Sequence, residues 1–185
     1  QGINVWELIR LANRHPRVNI LQPGPGVGGH CIAVDPWFIV AQNPQQAKLI
    51  RTAREVNDGK PHWVVERVKA AVADCLADTN KRASEVKIAC FGLAFKPNID
   101  DLRESPAMGI AQSIAHWHKG ETLVVEPNIH QLPKKLDGLC QLATLDDALA
   151  RADVLVMLVD HNEFKAIKGD AVQQQYIVDT KGVWR

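Results

Sequence analysis

Four short apolar runs separated by helical patterns constrain the fold more than any other feature of this sequence. The first, VKIACFG over residues 86–92, ends at glycine as a buried parallel strand does. ETLVVEP, DVLVMLVD and YIVDT repeat the signal at intervals that leave room for a helix each time. The intervening segments carry helix punctuation. Ser105-Pro106 supplies an N-cap and a first-turn proline to AMGIAQSIAHWH, which Gly120 closes, and Thr144 with Asp147 forms a capping pair for TLDDALARA. Strands alternating with helices imply a parallel sheet covered on both faces, so residues 86–185 read as a Rossmann-like α/β domain. In such sheets a ligand lies outside the carboxyl ends of the strands.

The first 85 residues have a different texture. GINVWELIRLAN carries helical spacing without a cap or a preceding strand, and reads as a helix cut from something longer. The prolines and glycines of RHPRVNILQPGPGVGGHCIAVDPWF predict an ordered loop, with a short extended piece at VNIL. Helical periodicity returns over 44–58, breaks at Asp58-Gly59, and resumes after Lys60-Pro61. The polar stretch DTNKRASE, residues 78–85, reads as a linker. The apolar helices at 1–13 and 44–58 are expected to be left partly uncovered.

Composition excludes several classes of partner. With 22 basic against 21 acidic residues there is no broad basic field to attract nucleic acid or a membrane surface. No apolar stretch approaches the roughly 20 residues that a membrane span requires, and no signal-type segment opens the chain. The four cysteines form neither a disulfide framework nor a metal ribbon, which fits reduced thiols in a cytoplasmic enzyme and no metal.

Among those cysteines, Cys31 stands apart. It follows the glycines of GPGVGGHC and precedes a carboxylate, Asp35, where bare backbone lets a ligand approach and amides are free to polarise a thiolate. Gly24, Gly26 and Gly29 satisfy a dinucleotide fingerprint by letter, but no strand precedes them and Asp35-Pro36 interrupts the segment after them. After the first strand of the α/β domain comes GLAFKPNIDDLRESP. Its Lys96 and Arg103, beside Asp100 and just ahead of a helix amino terminus, favour a phosphate. Asp160, His161 and Lys181 also follow strands, and each taken singly reads as surface.

The motifs GxGxGGHCIxxDP and GLAFKPNIDDLRESP, in that order, resemble the UDP-glucose/GDP-mannose dehydrogenase family over essentially the whole chain. The resemblance implies that residues 1–60 end a central helical dimerisation domain and carry the cysteine loop. It makes 61–85 a connecting helix and linker, and 86–185 a UDP-binding domain. It implies a UDP-sugar substrate, NAD as cofactor, and a homodimer. Cys31 then forms a thiohemiacetal with the intermediate aldehyde, which gives up a second hydride, and Asp35 activates the water that hydrolyses the thioester. Gly28, Phe95, Lys96 and Lys181 are implied substrate contacts, Arg103 and His30 lie towards the cofactor, and Arg17 reaches a neighbouring subunit's site. Relatives acting on UDP-glucose carry lysine where this chain has Val34, which implies a different sugar. The family's NAD-binding domain and central catalytic lysine and asparagine are expected upstream of Gln1, making this an inactive carboxy-terminal portion. Without the resemblance, a stand-alone nucleotide-binding module or another thiol enzyme remains open.

Overall fold

In a computed structural model, described for residues 2–184, the four apolar runs form strands β1 (Ile88–Phe91), β2 (Thr122–Val125), β4 (Val154–Met157) and β5 (Tyr176–Asp179). A two-residue strand, β3 (Gln141–Leu142), adds one edge. All pairings are parallel and the order is β3-β2-β1-β4-β5, a doubly wound sheet whose topological switch lies between β1 and β4. Ile88 stands opposite both Thr122 and Val154, and Val154 opposite Tyr176, so the four longer strands end at one level. Their exit loops therefore share one shelf.

Alternation along the strands divides the core in two. Ile88 and Cys90 face helices α4 (Lys60–Asp78) and α5 (Pro106–Trp117), packing with Val64, Val68, Ile110 and Ile114. Ala89 and Phe91 face the other way, towards Ala148 of α6 (Leu145–Arg151), Phe164 and Trp184. Phe91 meets Phe164 and Trp184 edge-on, with centroids 5.4 Å and 5.0 Å apart. Each fully buried side chain of this kind contributes about 1.5–3 kcal/mol. The helix starts are those the sequence marks. Ser105 Oγ accepts from the Met108 amide and Thr144 Oγ1 from the Asp147 amide.

The amino-terminal segment contains α1 (Val5–Ala12), α2 (Asp35–Gln42) and α3 (Lys48–Asp58). Asn4 caps α1 through its side-chain oxygen. Gly59 keeps helical dihedrals, φ −74° and ψ −16°, so the break between α3 and α4 is one residue long. Leu8, Leu11 and Leu49 are 47–81% exposed, so α1 and α3 are partly uncovered as expected; in α2, which the sequence did not mark as a helix, Phe38 is likewise exposed while Val40 is buried.

Several local expectations need correction. Asp35-Pro36 does not interrupt structure; Pro36 occupies the first turn of α2, where its missing N–H costs nothing. The periodic segment expected from 44 becomes helical only at Lys48, because the Gln46 and Ala47 amides close a turn on the Asn43 carbonyl. VNIL forms no strand. Beyond β3, the sequence reading also missed helix α7 (Asn162–Lys165) and a 3-10 turn over Gly169–Val172, both too short to show periodicity.

Candidate functional site

The exit loop of β1, residues 92–105, is folded by its own side chains. Ser105 Oγ donates to the Leu93 carbonyl at 2.6 Å, and the Phe95 amide donates to the Asp101 carbonyl at 3.2 Å. The Arg103 guanidinium forks onto Asp101, with Nε at 2.9 Å from Oδ1 and Nη2 at 2.6 Å from Oδ2. That hydrogen-bonded arginine holds the Asp101 carboxyl down at about 2, helped by the Arg103 amide and, more weakly, by nearby His30. Arg103 is thus already matched to a carboxylate, whereas Lys96 makes no ion pair among the described residues. Its Nζ lies 5.7 Å from the Phe95 ring centroid.

The glycine-rich loop docks directly on this one. A Cβ built on Gly28 would lie 2.5 Å from the Glu104 carbonyl oxygen, 2.7 Å from Pro106 Cδ and 2.9 Å from Phe95 Cβ. Gly29, at φ +88°, comes within 3.2 Å of the Phe95 ring by the same measure. Close packing between two loops is therefore what these glycines serve; Gly28 touches protein, not open space. Immediately beyond them Cys31 is exposed, while Cys75 and Cys90 are buried and Cys140 half-buried. Burial pushes the thiols of Cys75, Cys90 and Cys140 up, that of Cys140 to about 11. The Cys31 carbonyl accepts from the Asp35 amide at 2.8 Å, an i to i+4 turn leading into α2 that sets Cys31 and Asp35 on one side.

Between the loops lies a cleft of about 90 Å³, lined by Gly26, Phe95, Lys96, Pro106, Val159 and Lys181. Lys181 reaches it from a turn after β5 in which Asp179 accepts from the Lys181, Gly182 and Trp184 amides. Its Nζ pairs with Asp160 Oδ1 at 3.1 Å and comes 3.6 Å from the Cβ position of Gly24. Gly182, at φ +69°, lies against the Trp6 indole of α1: a Cβ there would be 2.6 Å from the ring. Arg17 is not in this cleft. It sits on an exposed loop closed by Asn13, whose side-chain amide donates to the Ile20 carbonyl at 2.9 Å and accepts from the Ile20 N–H at 2.7 Å. His30 is exposed beside Cys31.

His161 overturns its surface reading. It is fully buried at the exit of β4, with Nε2 3.0 Å from Glu126 Oε2. A larger cavity of about 410 Å³ lies between α2, α3 and α5, but Asp58 and Glu104 oppose Arg54 and Lys135 on its walls. Among the described residues no group of three or more His, Cys, Asp or Glu is placed to hold a metal, and no helix is long and apolar enough to cross a membrane.

A doubly wound sheet with a lysine-lined cleft over its switch point is a nucleotide-binding α/β domain, here joined to a loop presenting a thiol. Two family models match the chain: the UDP binding domain of the UDP-glucose/GDP-mannose dehydrogenase family over residues 89–185, and its central domain over 1–59. The chain belongs to that family. It is 91% identical to the UDP-N-acetyl-D-mannosamine dehydrogenase of Salmonella typhi, covering all of this chain and 44% of that protein. The UDP-D-ManNAc dehydrogenase of Pyrococcus horikoshii superposes with TM-score 0.82 at 32% identity, covering 100% of this chain and 42% of that one. The Staphylococcus aureus enzyme Cap5O, a UDP-N-acetyl-mannosamine dehydrogenase, gives 0.76 at 38% identity over 98% of this chain and 41% of its own. The chain thus spans less than half the length of these relatives.

Proposed function

We propose that the chain is the thiol- and nucleotide-bearing part of an NAD-dependent UDP-sugar 6-dehydrogenase that oxidises UDP-N-acetyl-D-mannosamine to its uronate. The observation that carries this reading is the docking of the Cys31 loop, through Gly28 and Gly29, onto the Phe95–Lys96 loop. A nucleotide held at the second loop places its sugar beside the thiol of the first. Lys96 and Lys181 meet the diphosphate, and Phe95 with Pro25 and Pro106 flanks a ring. A volume of about 90 Å³ seats a base or a phosphate, and the remainder lies across the mouth towards Cys31. The relatives' names support the sugar, and Val34, in place of a lysine, agrees with them.

The sheet itself does not fit a dinucleotide. In a sheet that holds one, the turn after β1 leaves space for the pyrophosphate and the acid ending β2 faces the ribose. Here a Cβ on Gly92 would collide with Val159, and Glu126 turns inward to accept from the Leu93 and Ala94 amides at 2.8 and 3.1 Å. His30 and Arg103, exposed on the Cys31 side, are what this chain offers to the nicotinamide cofactor, whose chemistry is to accept hydride. The derivable steps are those of Cys31 and Asp35. Cys31 Sγ adds to the C6 aldehyde carbon, the carbonyl π pair moves to oxygen, and that oxygen takes up the proton the thiol releases to give the thiohemiacetal hydroxyl. Once that carbon has been oxidised to a thioester, Asp35 takes a proton from water as it attacks, and the Cys31 thiolate leaves. Arg17, on its projecting loop, completes the site of a second copy, so the working enzyme is a cytoplasmic homodimer with 1–60 at its centre, 61–85 connecting and 86–185 holding UDP.

Calorimetric titration of the chain with UDP tests the nucleotide assignment. A lost charge-assisted contact raises Kd by about tenfold or more, so Lys96→Ala weakens binding to that extent. Arg103→Ala weakens it less, since Asp101 already engages the fork. Undiminished binding in Lys96→Ala places the nucleotide elsewhere. Incubated with UDP-N-acetyl-D-mannosamine and NAD, the 185-residue chain yields no NADH; NADH formation would refute the misfit of cofactor and sheet.

A further inference from the structure

The exits of β1, β2 and β4 meet in a buried polar cluster that the chemistry above does not use. Glu126 and His161 have side chains with no exposed surface, 3.0 Å apart. His161 Nδ1 lies 2.9 Å from the Asn98 amide nitrogen and 3.2 Å from Asn128 Nδ2. Both neighbours are donors, so Nδ1 carries no proton; Nε2 carries it and donates to Glu126 Oε2. The same oxygen accepts from the Leu93 and Ala94 amides. Oε1 accepts from the Asn128 amide and side chain at 3.2 and 3.1 Å. Burial works to raise the Glu126 pKa, but the His161 and amide donors outweigh it, and the net direction is down. The carboxylate is charged, and every partner is a donor.

These bonds converge on the two ends of one short loop. Leu93 and Ala94 are held at its start; at its end Asn98 is held twice, by its amide on His161 and by its Oδ1, which accepts from the Asn162 amide at 3.0 Å. Asn98 sits at φ +62°, a left-handed conformation that asparagine tolerates better than most side chains, and these bonds hold it there. Between the pinned ends stand Phe95, Lys96 and Pro97, the residues that line the cleft.

We propose that Glu126 and His161 are positioning residues for the nucleotide site, a buried clamp that holds the 93–98 loop so that Lys96 faces the ligand. The proposal rests on the assignment of UDP to this cleft. The clamp occupies the switch-point crevice with the protein's own groups, and the ligand sits on the clamped loop rather than in the crevice.

The test compares His161→Phe, which keeps the ring and removes both nitrogens, with His161→Gln, which retains an N–H donor and an oxygen acceptor. Amide hydrogen exchange of the unliganded chain reads the clamp directly. In His161→Phe the Leu93, Ala94 and Asn98 amides lose protection while those of β4 keep theirs, and Kd for UDP rises by about tenfold. His161→Gln restores protection and brings Kd to within about threefold of the parent, which a purely space-filling role does not predict. If His161→Phe fails to fold, Asn128→Ala, which removes one donor to each partner, carries the same comparison with a smaller expected rise. Protection and Kd both unchanged in the folded variant overturn the clamp. Failure of the parent chain to bind UDP overturns the nucleotide assignment instead, and the clamp then stands or falls on exchange at 93–98.

Discussion

Gly28→Ala isolates the packing between the two loops. Gly28 lies outside the left-handed region, so the substitution adds no backbone strain, and its whole effect comes from the methyl group. That methyl would meet a backbone carbonyl at 2.5 Å, a proline ring carbon at 2.7 Å and a Cβ at 2.9 Å, none of which a rotamer change moves away. Overpacking of a tight site costs about 1–3 kcal/mol, and three unyielding contacts put this case near about 3. At about 2–4 °C per kcal/mol for a chain of this size, the melting temperature falls by about 6–12 °C. The alternative to bearing the strain is for the loops to part, which caps the loss but frees Cys31 from its seat. Thermal unfolding by circular dichroism is therefore paired with the rate of Cys31 labelling by a thiol reagent. Gly109→Ala is the control: nothing lies within 4 Å of its Cβ position inside α5, so it stabilises by about 0.5–1 kcal/mol. A Gly28→Ala protein with the parent's melting temperature and labelling rate would refute the interlock.

In the parent chain a thiol reagent labels Cys31 well ahead of Cys75, Cys90 and Cys140, which burial shields and whose thiolates it disfavours; comparable rates at Cys140 would contradict this. Trp184→Ala removes a ring packed on Phe91 and an indole N–H donated to the Phe164 carbonyl at 3.2 Å, at a cost of about 3–5 kcal/mol in urea unfolding. Burial lowers the His118 pKa from 6.5, against a weaker opposing effect from the Val86 carbonyl. A depressed folded value means that protons bind the unfolded chain more readily, so stability present above pH 6.5 is lost as pH falls through it. The drop in urea midpoint between neutral pH and about pH 5 should shrink in His118→Gln, and an undiminished drop assigns it to other groups.

The sheet was legible because its signals are local: four apolar runs, and caps such as Ser105-Pro106 and Thr144 within three residues of what they cap. Pro36 misled because a proline that stops one helix is also the residue that starts another, and only the packing of the residues after it decides between them. Cys31 was visible as the thiol outside any apolar run, and it is the exposed one. No spacing connects Lys96 with Lys181 in the sequence, and the fold brings them to one cleft. The sequence points Arg103 towards a phosphate, and the structure adds that Asp101, two residues before it, accepts from its fork. The Glu126–His161 pair left no trace in the sequence, since its partners Asn98 and Asn128 come from loops after different strands and no spacing rule connects them.

The contact of Trp6 with Gly182 joins the two ends of the described chain. Closing so distant a pair costs more loop entropy than pairing adjacent strands of the sheet does. During synthesis α1 leaves the ribosome well before the Lys181 turn that seats it. Until residues through Gly182 have been made, the indole lacks this seat and the cleft lacks Lys181, so the lysine beside Gly182 meets the nucleotide loop only once that turn has formed.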